Sequence, residues 1–231
     1  MAIVEIEHVT KVYESGKVQV RALRGIDLTI EKGEFAAIAG PSGSGKSTLL
    51  NIIGALDTPT EGTVRVAGND LSQMSAPELS ALRRNNIGFI FQAYNLIPVL
   101  TAFENVEFIM MVQGVPAEER RRRANDILDK VGLAELADRR PIDMSGGQQQ
   151  RVAVARAIVG RPQLILADEP TANLDSKTGA ELIDLMERLN EQEQMTFLFS
   201  SHDRMVLERS HRLMILRDGQ IVEDNPNNNH A

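Results

Sequence analysis

Apolar and polar positions alternate over residues 3–9 and again over about 18–30, the period of strands with one buried face. Phe35-Ala36-Ala37-Ile38-Ala39 is then an unbroken apolar run of strand length. It leads into Gly40-Pro41-Ser42-Gly43-Ser44-Gly45-Lys46-Ser47-Thr48, after which Leu49, Leu50, Ile52, Ile53 and Leu56 recur at helical spacing. Turn residues fill 57–62, Val64 and Val66 begin another strand, and 87–91 is apolar again. From about Tyr94 to Gly160 the pattern becomes helical, over 103–112, 117–131 and 145–159. Residues 164–167 and 195–199 are continuous apolar runs, as expected for parallel strands buried on both faces. Asp218-Gly219 between apolar stretches is a short-hairpin signal. The pattern predicts one α/β domain over 1–231. Its core takes 1–92, with a β-rich N-terminal part, and 160–231; a mostly helical insertion takes 93–159. Residues 224–231, polar and asparagine-rich, are expected to fray and to have no function.

Composition narrows the classes. With 25 Lys+Arg against 32 Asp+Glu the net charge is −7, which argues against sequence-independent nucleic-acid binding. Cysteine is absent, so disulfides, zinc-thiolate sites and thiol nucleophiles are excluded. The N-terminus shows no basic lead followed by an apolar stretch and cleavage site. The most apolar long stretch, 96–115, is broken by Pro98, Glu104, Asn105, Glu107 and Gly114, so no direct membrane insertion is expected. Arg120 to Arg123 form a basic run. Glu118 and Glu119 stand four residues before Arg122 and Arg123, the pattern of a solvated helix face.

The first chemical signal is Gly40-x4-Gly45-Lys46-Ser47, which fits G-x-x-x-x-G-K-[ST] between a strand and a helix. Glycines there let backbone N–H groups approach a polyphosphate, and the helix start adds the positive end of its dipole. Lys46 is placed for the β- and γ-phosphates and the Ser47 hydroxyl for Mg²⁺. The motif specifies a nucleoside triphosphate without choosing adenine or guanine.

A second signal ends the apolar run at 164–167: Asp168-Glu169. Acids would be costly inside the sheet, but at the carboxyl edge of a strand they reach the ligand crevice of open α/β folds. Asp168 is the candidate Mg²⁺ partner, and Glu169 the candidate base that orients and deprotonates the attacking water. A third signal is Ser145-Gly146-Gly147-Gln148. Ser145 with Gln148 fits a capping box, while two glycines in the first turn cost about 1 kcal/mol each against alanine. They expose backbone N–H groups at a positive helix end, a second anion site. Both sites can serve one nucleotide if each belongs to a different copy of the chain.

The combination of Ser145-Gly146-Gly147-Gln148-Gln149-Gln150-Arg151, Asp168-Glu169 and the upstream phosphate loop resembles the ABC ATPases over nearly the whole chain. The resemblance implies a P-loop NTPase core and two copies pairing head to tail around two Mg-ATP. It implies that Gln92 senses Mg²⁺ and links the core to the helical lobe, and that Asp175, in Asn173-Leu174-Asp175, lies in a loop crossing to the other copy. His202 would contact the γ-phosphate and Tyr13 would stack on adenine. Met144 and Ser201 depart from the usual leucine and threonine, both tolerable changes.

The stretches GALDTPTEG, IGFIFQAYNLIPVLTAFENV and LILADEPTANLDS resemble the lipoprotein-release and macrolide-export branch, with the cell-division type close by. That resemblance implies a cytoplasmic subunit on the inner face of the cell membrane, driving a separate integral membrane permease. The lobe after Gln92 would receive a helix of that partner, with Leu96-Ile97-Pro98-Val99-Leu100 a candidate contact. Other classes fit less well. A soluble ABC ATPase of a cluster-assembly complex would need soluble partners. A GTPase needs N-K-x-D, which is absent, and a small-molecule kinase has no use for Ser145-Gly147 with a downstream histidine.

Overall fold

A computed structural model describes residues 1–16 and 18–226. Among these residues ten strands form two sheets. The first is antiparallel and four-stranded, order β2-β1-β4-β5, with β1 Ala2–Ser15, β2 Val18–Glu31, β4 Glu61–Val66 and β5 Asn69–Asp70. The second has order β10-β9-β3-β8-β7-β6 and is parallel except for β10. It is built from β3 Phe35–Ala39, β6 Ile87–Phe91, β7 Leu164–Asp168, β8 Thr196–Ser200, β9 Arg212–Arg217 and β10 Gln220–Pro226.

Among the described residues seven α-helices complete the fold: α1 Lys46–Ile53, α2 Ala76–Asn86, α3 Ala102–Val112, α4 Ala117–Lys130, α5 Gly146–Val159, α6 Ser176–Glu193 and α7 Arg204–Arg209. Successive side chains on a strand face opposite ways, and here that splits the core in two. Phe35, Ala37, Ile165, Ala167, Phe197 and Phe199 pack with α3 to α6. Ala36, Ile38, Leu164, Leu166 and Leu198 pack with α1 and the inner face of the antiparallel sheet. Both β3 and β8 are buried at every position, so their polar neighbours collect at the strand ends.

The register matters most for function. Phe91 pairs with Asp168, Asp168 with Ser200, and Ile38 with Ser200. Four carboxyl-terminal strand ends therefore lie side by side, and Gln92, Glu169, Ser201 and the loop from Gly40 all leave the sheet at one edge.

Several elements differ from the sequence reading. The first strand runs six residues past Val9, because a bulge at His8, φ 51°, resets the alternation. Ile6 and Val9 are both buried although three residues apart, which a regular strand forbids. Helix α2 was not anticipated, yet Ser75 and Glu78 form its capping box. The basic run is only partly a solvated face. Arg120 donates to Glu107 at 2.9 Å and to the Val115 carbonyl, and Arg123 donates to the Val159 carbonyl, tying α4 to its neighbours. Arg123 lies 3.6 Å from Glu119, as the spacing predicts, while Arg122 reaches Asp126 instead.

The Asp218-Gly219 turn forms as expected, with φ 49° and 78°. The expected frayed tail is corrected at its start: residues 224–226 pair with β9, and Arg212 grips Asp224 through two 2.7 Å bonds. The rest of that tail, 227–231, lies outside the described residues.

Candidate nucleotide site

The loop between β3 and α1 wraps a cleft of about 580 Å³. Pro41, Ser42, Gly43, Gly45, Lys46, Ser47 and Thr48 line it, together with Gln92, Glu169, His202 and the segment Val20–Ala22. At Gly45 the backbone has φ 107°, and a Cβ would stand 2.6 Å from the Ala22 carbonyl. Only glycine fits both demands. No side chain caps α1 at that residue, so the first amides of the helix face the cleft uncapped by the protein's own oxygens. Lys46 Nζ donates to the carbonyls of Gly40 (2.7 Å) and Pro41 (3.1 Å), holding the ammonium inside the loop. The Ser44 hydroxyl is buried without a hydrogen-bond partner.

Across the cleft, Ser47 Oγ donates to Asp168 Oδ1 at 3.3 Å. Glu169, one residue on, has φ 48°, a conformation that costs an L residue about 1–2 kcal/mol. Its N–H donates to the Ser200 carbonyl at 2.8 Å, which carries the chain over the sheet edge. Its carboxylate is then fixed from two sides. His202 Nδ1 lies 2.6 Å from Oε1, and Ser201 Oγ donates to Oε2 at 3.0 Å. Ser201 Oγ in turn accepts the Asp203 N–H, and Asp203 accepts from Thr171 Oγ1 at 2.7 Å. The sequence reading treated Ser201 as a tolerated variant of threonine; either residue supplies the hydroxyl that the carboxylate uses. Asp203 and Thr171 were missed, since nothing in local pattern pairs residues 32 positions apart.

The other predicted residues divide between the cleft and places outside it. Gln92 lines the cleft, and its carbonyl accepts from Asn173 Nδ2 at 2.8 Å, joining the loops after β6 and β7. Tyr13 is not among the cleft-lining residues. Its hydroxyl donates to Asp57 at 2.7 Å, and Lys11 Nζ sits 4.8 Å from its ring centroid. Burial and the adjacent Asp57 push the phenol pKa up. Asp175 caps α6, accepting from Lys177 N and Thr178 N, and its bond from Thr178 Oγ1 holds its pKa below the usual carboxylate range.

Ser145 to Gln148 are also absent from the cleft. Ser145 Oγ accepts from Gln148 N, and Gln148 Oε1 accepts from Ser145 N, forming the predicted capping box. The two glycines have a packing role beyond exposing backbone. A Cβ on Gly146 would stand 2.8 Å from Tyr94 Oη, and one on Gly147 only 2.3 Å from Thr178 Cγ2. Met144 is buried in the core cluster, as its volume allows.

Strand, glycine loop, helix, lysine, hydroxyl and acid in this geometry define a P-loop nucleoside triphosphatase. The chain belongs to the ABC transporter family, whose model matches residues 23–172. It is an ATP-binding subunit of that family and an ATPase. It is 48% identical to an uncharacterized ABC transporter ATP-binding protein of Thermotoga maritima, over 95% of this chain and 93% of that one. It is also 48% identical to the macrolide export ATP-binding/permease protein MacB of Rhodopseudomonas palustris, covering 96% of this chain but 34% of that longer protein. Among solved structures, the ATP-binding cassette MJ0796 in a dimeric post-hydrolysis state bound to ADP and Pi matches with TM-score 0.89. The identity is 45%, covering 96% of this chain and 98% of that one.

The contact beneath the second glycine gives a prediction. Gly147→Ala should destabilise the fold by about 1–3 kcal/mol, the usual cost of overpacking. Adding Thr178→Ser, which removes the opposing methyl but keeps the hydroxyl on Asp175, should recover most of that loss in urea unfolding. No recovery would mean that the methyl contact is not what demands glycine.

Proposed function

We propose that this cassette works as a head-to-tail homodimer that closes on two Mg-ATP and drives an integral membrane permease from the cytoplasmic face. One observation carries the reading: the cleft gathers the phosphate loop with Ser47, Gln92, Glu169 and His202, and Asp168 joins it through its bond from Ser47, yet the cleft includes none of Ser145–Gln148. A second copy, turned about a two-fold axis, supplies the missing helix start, so each site is built from both chains. The MJ0796 cassettes, which share 44–45% identity with this chain, are dimers.

In this reading the glycine-loop amides and Lys46 hold the triphosphate. Tyr13 lies at the adenine end, and Asp175 lies on the loop that crosses between copies. Ser47, Asp168 and Gln92 present hydroxyl, carboxylate and amide oxygens, a hard donor set with a single carboxylate, which suits Mg²⁺ beside phosphates. Bound there, Mg²⁺ would neutralise charge developing on the phosphate oxygens. Glu169 orients the attacking water and takes its proton. His202 and Ser201 fix that carboxylate, and His202, the more exposed partner, also faces the γ-phosphate position. Glu169→Gln should lower turnover by about 10²–10⁴, the range for a general base, and accumulate an ATP-bound dimer on gel filtration. Parental phosphate release from that variant would remove Glu169 from the role.

No helix among the described residues is long and apolar enough to cross a membrane, so the permease supplies the spanning part. Its docking face is the groove of about 450 Å³ between α2, β6, α3 and α5. Phe89 and Phe91 stack in its wall at 5.6 Å, and Phe108 stands at the rim, 40% exposed. The expected contact at 96–100 is divided: Leu96 packs against the core, whereas Val99 is exposed. Phe108→Asp should cut co-purification with the membrane permease by about tenfold or more, as loss of an aromatic anchor does. Val222→Asp, on the exposed β10, should leave it intact. Equal recovery of both variants would move the docking face elsewhere.

A further inference from the structure

Arg156 lies on α5, ten residues beyond the first glycine of that helix. Its Nη2 donates to the Tyr94 carbonyl at 2.8 Å, and its Nη1 donates to the carbonyl of Asn95. The guanidinium is half-buried, and among the described residues no carboxylate pairs with it. Burial accordingly holds its pKa below that of a solvated arginine. A cation withdrawn from water without a counter-ion is costly, so the two carbonyls must account for its being there.

Those carbonyls belong to an unusual turn. Tyr94 and Asn95 have φ 56° and 51°, consecutive left-handed residues that are not glycine. Side chains disfavour that conformation, so something outside the turn must hold it. The turn begins two residues after Gln92, and its other restraints are few. Tyr94 N donates to the Phe91 carbonyl at 3.2 Å, Asn95 N donates to the Ala93 carbonyl, and Asn173 holds the Gln92 carbonyl. The Tyr94 hydroxyl meanwhile reaches back over Gly146, at the start of the helix that carries Arg156. Helix and loop thus touch at two points nearly three turns apart.

We propose that Arg156 is a positioning residue for ATP hydrolysis: by bridging the Tyr94 and Asn95 carbonyls it fixes the loop that presents Gln92 to the cleft and makes that loop move with α5. The inference rests on Gln92 being a cleft ligand for the Mg²⁺ of Mg-ATP. Lysine keeps the charge at 156 but cannot span two carbonyls with a rigid fork.

The test is steady-state ATPase of the full chain, with Mg²⁺ titrated at saturating ATP. Arg156→Lys should lower kcat and raise the half-maximal Mg²⁺ concentration by about tenfold, the effect of one lost charge-assisted bond. Mg²⁺-free ATP binding should stay within about twofold, because the phosphate loop is untouched. Asn95→Gly, which accepts the left-handed turn without strain, should restore much of the loss in the Arg156→Lys background. Asn95→Ala with Arg156 intact should shift Mg²⁺ dependence in the same direction, and it decides the matter if Arg156→Lys does not fold. Gln92→Ala separates the two readings. If it leaves the Mg²⁺ dependence unchanged, the role of Gln92 is wrong. If it shifts that dependence while Arg156→Lys and Asn95→Ala do not, positioning by Arg156 is overturned. Parallel loss of Mg²⁺-free ATP binding and turnover in Arg156→Lys would also overturn it, marking a general structural role.

Discussion

Hydrogen-bond register in the parallel sheet sets where chemistry can occur in this molecule. Strands β3, β7 and β8 are packed on both faces, so charged groups cannot enter their interiors without losing hydration. Polar residues are displaced to the strand ends, and the pairing of Phe91 with Asp168 and of Asp168 with Ser200 brings those ends level. One residue past each strand stand Gln92, Glu169 and Ser201. A slip of β7 by one residue would invert its faces, sending Ile165 and Ala167 to the wrong core and moving Asp168 away from Ser47. Core packing therefore holds the distance between the hydroxyl and the acid.

The same logic explains why three segments with special backbone demands meet them differently. The glycine loop after β3 needs glycine at 45 for backbone geometry and proximity, since Ala22 crosses directly over it. The glycines at 146 and 147 have ordinary helical backbone and need only space, because Tyr94 and Thr178 press on the start of α5. Tyr94 and Asn95 are left-handed without being glycine, and an external guanidinium stabilises them. Sequence shows the glycines in the first two cases. It gives no sign of the third, where the compensating group is 61 and 62 residues away.

Legibility follows the range of the interaction. The β3–loop–α1 unit, β6, the acidic end of β7, the capping box at Ser145 and the 218–219 turn depend on neighbours within a few residues, and each was readable. The extension of β1 was hidden, because the bulge at His8 reverses the alternation on which strand recognition depends. Lys11 is buried past that bulge against Asp57, which resembles a surface lysine until its partner is known. Arg120 and Arg123 misled for the same reason: their local spacing suits a solvated helix, but their partners are on α3 and at the end of α5. The site residues missed, Thr171 and Asp203, act through contacts between two separate loops.

Those two residues give the arrangement around Glu169 its direction. In the proposed reading Glu169 takes a proton from water, and such a carboxylate needs a fixed orientation. Glu169 begins with a backbone angle that side chains resist, so without outside support the loop would relax and the carboxylate would turn. Support comes from both sides. His202 and Ser201 hold the two oxygens, while Asp203, anchored by Thr171 and itself capping α7, holds Ser201. The chain of contacts runs from the loop after β7, through the loop after β8, and back to the loop after β7. Strain at one residue is thereby balanced by a closed ring of hydrogen bonds. The ring spans the two loops that the sheet register brings together, so the carboxylate's aim depends on β7 and β8 staying paired.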